Sequence, residues 1–312
     1  MSERRVRELA TRYSNWGRWG EDDELGTLNL ITPERVKAAA ALVRRGVVFS
    51  LAIPLDADGP QTGRNGRNNP VHLMMQDGGD IASGAQAEWR MEWTDDAMFL
   101  PLQSSTQWDA LAHGFFEGRM YNGFGTEQVT SEGARRNSID AARDRICGRG
   151  VLLDLPRARG VDSLAPAEAI DAAMLDACAE HQGVAVGAGD IVLVRTGQIA
   201  RMREQGGWDG YVGGPAPGLS IESVPFFCER DVAAIAVDLW TPEVWPAEVP
   251  EVPTAMHVTL LVAAGITIGE IFDLEELAAD CAADGVYEFF FTAPPLRVTG
   301  GVGSPINPQA IK

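Results

Sequence analysis

Three short apolar runs do most to limit what this chain can fold into: GRGVLLDLP at 148–156, DIVLVRTG at 190–197 and VAAIAVDL at 232–239. Such runs, bounded by glycine, proline or charge and too short for helices, read as buried strands. Helical patterns lie between and after them. Residues 165–183 carry Ala169, Ile170, Ala173, Leu175 and Cys178 near helical spacing, and further helix-like stretches follow at 220–230 and near 255–264. Upstream, Thr32, Pro33 and Glu34 make a helix N-terminus, with Gly46 closing the helix, and VVFSLAIPL then reads as a strand. Residues 56–70 (DADGPQTGRNGRNNP) form a long Gly-, Asn- and Pro-rich loop, the kind that often serves as a lid or binding loop. Two β-like runs, 71–76 and 89–100, come next, and YEFFFTAPPLRVTGG ends the chain in β-like material. Strands and helices alternate with no internal repeat and no linker of shifted composition, which predicts one α/β domain over residues 1–312.

The chain has 312 residues, 45% hydrophobic and 22% charged, without a low-complexity tract, as in a globular protein. Its 44 acidic against 26 basic side chains give a net charge of -18. A field of that sign repels phosphate backbones and anionic lipid, so neither nucleic acid nor a membrane is an expected partner. Cys147, Cys178, Cys228 and Cys281 form no CxxC pair and read as reduced thiols. The N-terminal MSERRVRELATRYSNWG has basic residues but no apolar stretch behind them, which leads us to expect a cytoplasmic protein.

Chemistry-bearing residues concentrate in SSTQWDALAHGFFEG, residues 104–118. Asp109 and His113 lie four apart, and Gln103 and Gln107 precede them on the same spacing. Carboxylate, imidazole and amide oxygen can all bind a divalent ion. The same residues also suit a strand ending in a polar loop, with Asp109 accepting backbone N–H groups and His113 packed among aromatics. Further along, His257 lies in an apolar stretch, which equally fits a core histidine. Glu270 sits between apolar runs, where a carboxylate must be paired, protonated or metal-bound. His72 follows the long loop and reads either as a pocket residue or as a loop-end histidine bonded to backbone. His181, before Gly183, reads as a helix-end residue without chemistry.

Taken together, these segments resemble the cyclase family of metal-dependent hydrolases, which includes bacterial kynurenine formamidase (arylformamidase) and isatin hydrolase. The family signature HxGTHxDxPxH falls on residues 103–113. Thr106, Asp109 and His113 match it, while Gln103 and Gln107 replace two histidines, Ser105 a glycine and Leu111 a proline. DELGTLNLITPERV, GRGVLLDLPR, GDIVLVRTG, VAAIAVDLWTPE and the closing YEFFFTAPPLRVTGGVGSPINPQAI agree in order along nearly the whole chain. The resemblance implies a single-domain swivelling β/β/α fold with an N-terminal extension (about 1–30), assembled as a homo-oligomer, a dimer or tetramer.

It also implies a site. Asp109, His257 and Glu270 would bind metal, joined by Gln103 and Gln107 through amide oxygens, and His113 would be the general acid/base. The family's metal is usually zinc or manganese, and the glutamines favour a hard ion such as manganese or magnesium over zinc. The expected reaction is hydrolysis of a cyclic amide, lactone or aryl amide, with Thr106 or a backbone N–H steadying the oxyanion. Trp108, Phe115, Phe116 and His72 would contact an apolar or aromatic small molecule. Two other outcomes stay open: a dehydration or ring closure at the same groups, and a metal-free binding protein that keeps the fold.

Overall fold

The structure, a computed structural model, describes residues 1–312. In chain order the strands of three residues or more are β1 (Val48–Ser50), β2 (Val71–Gln76), β3 (Asp95–Phe99), β4 (Gln107–Asp109), β5 (Cys147–Asp154), β6 (Ile191–Arg195), β7 (Ala234–Val237), β8 (Thr267–Glu270), β9 (Glu288–Thr292), β10 (Gly303–Pro305) and β11 (Gln309–Ile311). All but β2 and β3 join one nine-stranded sheet, in the order β1-β11-β9-β5-β6-β7-β8-β4-β10. The four central strands, β5 to β8, run parallel, and both flanks are antiparallel. The three apolar runs read from the sequence are three of those central strands. Buried on both faces, they have no polar side to show.

Alternation along the strands divides the interior in two. Val151 and Leu153 enter one core with α1 (Glu3–Arg12), α3 (Ala172–Gln182) and a π-helical segment, His257–Ala264. Leu152, Leu193 and Ala236 enter the other, with α4 (Glu275–Asp284), Phe289 and Phe291. The mixed α/β architecture expected from the sequence is the one observed. The four cysteines form no disulfide. No helix is long and apolar enough to cross a membrane.

Several boundaries differ from the sequence pattern. Helix α2 (Pro33–Ala40) is capped by Thr32, whose hydroxyl accepts from the Arg35 N–H, but it ends before Gly46. The N–H groups of Arg45, Gly46 and Val47 turn instead to the Lys312 carbonyl. The strand after it is three residues long: the Leu51 N–H still bonds the Pro308 carbonyl in the same register, but proline has no N–H to continue the ladder. Helix α3 starts at Ala172, capped by Asp171, since residues 169–170 pair as a short strand with 218–219. His181 lies in its last turn.

Candidate functional site

The site lies where β4 meets β8. In that antiparallel ladder Gln107 faces Glu270 and Trp108 faces Gly269. Side chains alternate across a sheet, so Gln107, Asp109 and Glu270 share one face while Trp108 points to the other. The π-helical segment begins with His257 above the polar face. π-Helical turns recur at functional sites because they re-aim one side chain without breaking the helix.

Asp109, His257 and Glu270 converge, their ligand-capable atoms all within 4.8 Å of one another. His257 Nε2 is 3.5 Å from Asp109 Oδ2 and 3.6 Å from Glu270 Oε1. His257 Nδ1 lies 2.8 Å from Glu243 Oε1, which also accepts the His257 backbone N–H. The other Glu243 oxygen accepts from the Thr241 hydroxyl. This leaves Nε2 directed at the two remaining carboxylates. Gln107 Nε2 donates to Glu270 Oε2 at 2.6 Å, and Arg67 Nη1 stands 3.9 Å from the same oxygen. His113 Nε2 is 3.8 Å from Asp109 Oδ1.

The electrostatics follow from three carboxylates buried around one imidazole. Burial works against a charged His257, yet Glu243, Asp109 and Glu270 outweigh it and hold its pKa well above the ordinary histidine value. Burial, with the Asp109 charge adding to it, pushes the Glu270 carboxyl up to about 7. Burial also acts upward on Asp109, but His113, His257 and Arg67 together keep it below the usual carboxylate range. For His113 the Asp109 charge raises the pKa, and burial with the His257 and Arg67 charges lowers it further, to a net value below ordinary.

Asp109 is fully buried, and neither of its oxygens has a hydrogen-bond partner. Gln107 Oε1 and Gln103 Nε2 are also buried and unpartnered. Buried polar atoms are nearly always satisfied, and an ionised carboxylate in that state is very costly. A divalent cation between Asp109, His257 and Glu270 would resolve the deficit at Asp109, and the donor set of two carboxylates and one imidazole fits such an ion.

His113, His257, Glu270 and Phe115 line a cavity of about 300 Å³ with Asn65, Arg67, Trp240 and Thr241. Asp109 lies beneath it. Other residues singled out in the sequence fall elsewhere. Trp108 is fully buried in the opposite core, edge-on to Phe272, its indole N–H bonded to the Ala293 carbonyl. It is placed to pack and not to touch a ligand. Thr106 Oγ1 donates to the Ile271 carbonyl and accepts the Ile53 N–H, so its one hydroxyl proton is not free for an oxyanion. Gln103 packs against Gly303 and makes no hydrogen bond to the three converging residues. Gln107 holds Glu270 through its amide nitrogen. Phe116 lines a neighbouring groove. His72 is exposed on the β2–β3 hairpin, 2.7 Å from Asp96.

Sequence reasoning missed Glu243, Asn65, Arg67 and Trp240. Glu243 closes VAAIAVDLWTPE, where a carboxylate just past a buried strand is a signal of the same kind that drew attention to Glu270. Asn65 and Arg67 come from the loop at 56–70.

The family model described as "Putative cyclase" matches residues 31–244. A crystal structure described as a novel cyclase is 38% identical, covers 97% of this chain and 99% of its own, and superposes with a TM-score of 0.89. Isatin hydrolase A from Labrenzia aggregata is 18% identical over 87% of this chain and 94% of its own, with a TM-score of 0.61. Isatin hydrolase A from Ralstonia solanacearum is 21% identical over 89% and 97%, with a TM-score of 0.60. Both share the fold. No curated protein matches the chain. With more than half its length matched by the family model and a close structural relative along nearly all of it, the chain belongs to the cyclase family.

Proposed function

We propose that this protein is a metal-dependent hydrolase of a small cyclic amide, lactone or aryl amide. The observation that carries the reading is Asp109: a fully buried carboxylate with both oxygens unpartnered, converging with His257 and Glu270 below a cavity that His113 lines. Asp109, His257 and Glu270 would hold the ion. Two carboxylates and one imidazole suit a borderline-to-hard dication such as zinc or manganese. When bound there, such an ion supplies Lewis acidity toward a carbonyl oxygen and acidifies water.

The chain's own groups do the rest. Glu243 fixes the His257 ring, and Gln107 fixes Glu270. His113 Nε2, neutral near pH 7 because its pKa is lowered, takes the proton of the attacking water. It returns that proton to the leaving nitrogen or oxygen as the acyl bond breaks, so one C–O bond forms for each C–N or C–O bond lost. Arg67 faces the same cavity and opposes the negative charge developing on the carbonyl oxygen. Phe115 and Trp240 offer apolar walls for a ring. The names of the structural relatives support this substrate class: isatin is a cyclic amide, and the Labrenzia aggregata enzyme was solved with benzyl benzoate, an aromatic ester.

Elemental analysis and a substrate screen test the proposal. The purified protein should carry near-stoichiometric metal, lose it in Asp109→Ala, and hydrolyse members of a panel of lactones, cyclic amides and formanilides only with metal restored. Absence of metal after loading with manganese or zinc would sink it. A product lighter than its substrate by one water would mean dehydration instead.

A further inference from the structure

Among the groups that line the catalytic cavity, Arg67 is the one whose donors are left over. Its side chain is only 16% exposed, yet its guanidinium makes no hydrogen bond within the chain: Glu270 Oε2, the nearest carboxylate oxygen, is 3.9 Å away, beyond hydrogen-bond reach. That oxygen already accepts the Gln107 amide at 2.6 Å, and Glu270 Oε1 faces His257. A guanidinium does not lose its proton and carries five N–H donors in a planar fork. Buried polar groups are nearly always paired, so the acceptors for this fork come from what fills the cavity. Water can supply them, but only an anion also answers the charge.

The loop at 56–70 holds the fork in place. Gly63, Asn65 and Gly66 all have left-handed backbones, with φ of 87°, 56° and 76°. Asparagine is among the few residues besides glycine that tolerate this region. The resulting tight turn is closed by two bonds, from the Gly63 N–H to the Arg67 carbonyl and from the Arg67 N–H to the Arg64 carbonyl. Arg67 then rests on the Trp240 ring, 5.4 Å from its centroid. Trp240 Nε1 donates to Gln61 Oε1, and Gln61 Nε2 donates to the Ser104 carbonyl just ahead of β4. The guanidinium is thus fixed before any ligand arrives and has little freedom left to lose on binding one.

We propose that the substrate carries a carboxylate close to the bond it loses, and that Arg67 binds this carboxylate through its fork. The proposal rests on the hydrolase reading above and narrows its substrate class to acidic cyclic amides, lactones or aryl amides. Planar, two-pronged pairing with a carboxylate is what a guanidinium does best. Arg67 Nη1 lies 3.9 Å from Glu270 Oε2, so a carboxylate on the fork sits beside the reacting carbonyl and not across the cavity. The remaining N–H groups still oppose charge on that carbonyl oxygen. Trp240 and Phe115 flank the ring that joins the two groups. In a chain of net charge -18, an anionic substrate is repelled at long range, and a fixed cation inside the cavity is what makes its binding favourable.

Two measurements on the metal-loaded protein test this. Titration calorimetry should show benzoate binding about 10–100-fold more tightly than benzamide. Arg67→Gln should lose that preference, and Arg67→Lys, which keeps the charge without the fork, should recover part of it; the lysine variant carries the comparison should the first fail to fold. Arg64→Gln should keep the preference, because Arg64 sits on the same loop but lines a separate pocket. In the second measurement, kcat/KM for formamidobenzoates should exceed that for the matching formamidobenzamides, chiefly through KM, and Arg67→Gln should remove the difference. Equal affinity for benzoate and benzamide in the wild type overturns the proposal. So does a benzoate preference unchanged in Arg67→Gln, which would mean that the ion alone holds the carboxylate. An Arg67-dependent benzoate preference without a kinetic preference for acids overturns it too, since Arg67 would then hold only the acid that hydrolysis produces. A protein that shows the binding preference and hydrolyses neither series overturns the hydrolase reading and leaves the carboxylate site standing.

Discussion

At the scale of single residues, the site depends on groups that orient others. Glu243 presents one oxygen to both Nδ1 and the backbone N–H of His257, so that when the ring is neutral, as a metal ligand must be, its proton stays on Nδ1 and Nε2 is free. Removing such a partner typically weakens metal binding by about 10–100-fold, so Glu243→Ala should do so by titration calorimetry with manganese. Glu243→Gln should lose less, because its amide oxygen still accepts from Nδ1. His113 gives a sign-determined pH dependence. Its pKa is lowered, so the neutral base persists to lower pH than for an ordinary histidine. The acidic limb of kcat/KM should therefore lie below the ordinary imidazole range of about 6.5. His113→Ala should lower kcat by about 10²–10⁴-fold and abolish that limb. A limb unmoved in the variant would assign it to another group.

At the scale of elements, the junction of β4 and β8 is set by a pairing that the sequence shows only in part. A Cβ at Gly269 would come within 2.6 Å of Trp108 and 2.7 Å of Phe272, both fully buried. Gly269→Ala should thus destabilise the fold by about 1–3 kcal/mol through overpacking, read as a lowered urea midpoint, and loosen the junction that carries Asp109 and Glu270. The central strands are legible in the sequence because burial on both faces leaves an uninterrupted apolar run. Asp109, His257 and Glu270 are legible because the family spacing marks them. Trp108, Thr106 and His72 show the limit. Their positions near the signature suggest a ligand, but strand alternation sends Trp108 to the opposite core, two backbone partners occupy the Thr106 hydroxyl, and β2–β3 carries His72 out on an arm. Nothing local in a sequence tells which strand will pair with which, so the faces of β4 become readable only once β8 is beside it. Glu243 and Arg67 lie more than twelve residues from any signature position and reach the site only through tertiary structure.

At the scale of the whole molecule, the N-terminal segment is tied to the far end of the chain in a way that reaches the site. The C-terminal carbonyls of a helix need partners. For the π-helical segment that begins with His257, Trp16 Nε1 bonds the Val262 carbonyl, while the backbone N–H and side-chain amide of Asn15 bond Ala263 and Ala264. Val6 and Leu9 anchor α1 in the core. Two ion pairs across the surface, Arg5 with Glu222 and Arg18 with Asp231, hold this segment in place. Their hydrogen bonds hold both carboxyls below the usual range. A depressed carboxyl stabilises the folded state above its unfolded pKa, and that contribution disappears as the pH falls through the lower, folded value. Both pairs are about one-third exposed, so each contributes at most about 1 kcal/mol. Their loss should loosen the segment without unfolding the sheet. Hydrogen exchange of residues 3–16, corrected for intrinsic rates, should show opening that increases between about pH 5 and pH 3 while β5 to β7 stay protected. The Arg5→Gln/Arg18→Gln variant should already be loose at the higher pH and respond less to acid. Equal acid sensitivity in the variant would assign it to the segment's other carboxylate contacts, Glu229 with Arg12 and Tyr13 and Glu117 with Arg7, with the two ion pairs making no measurable contribution.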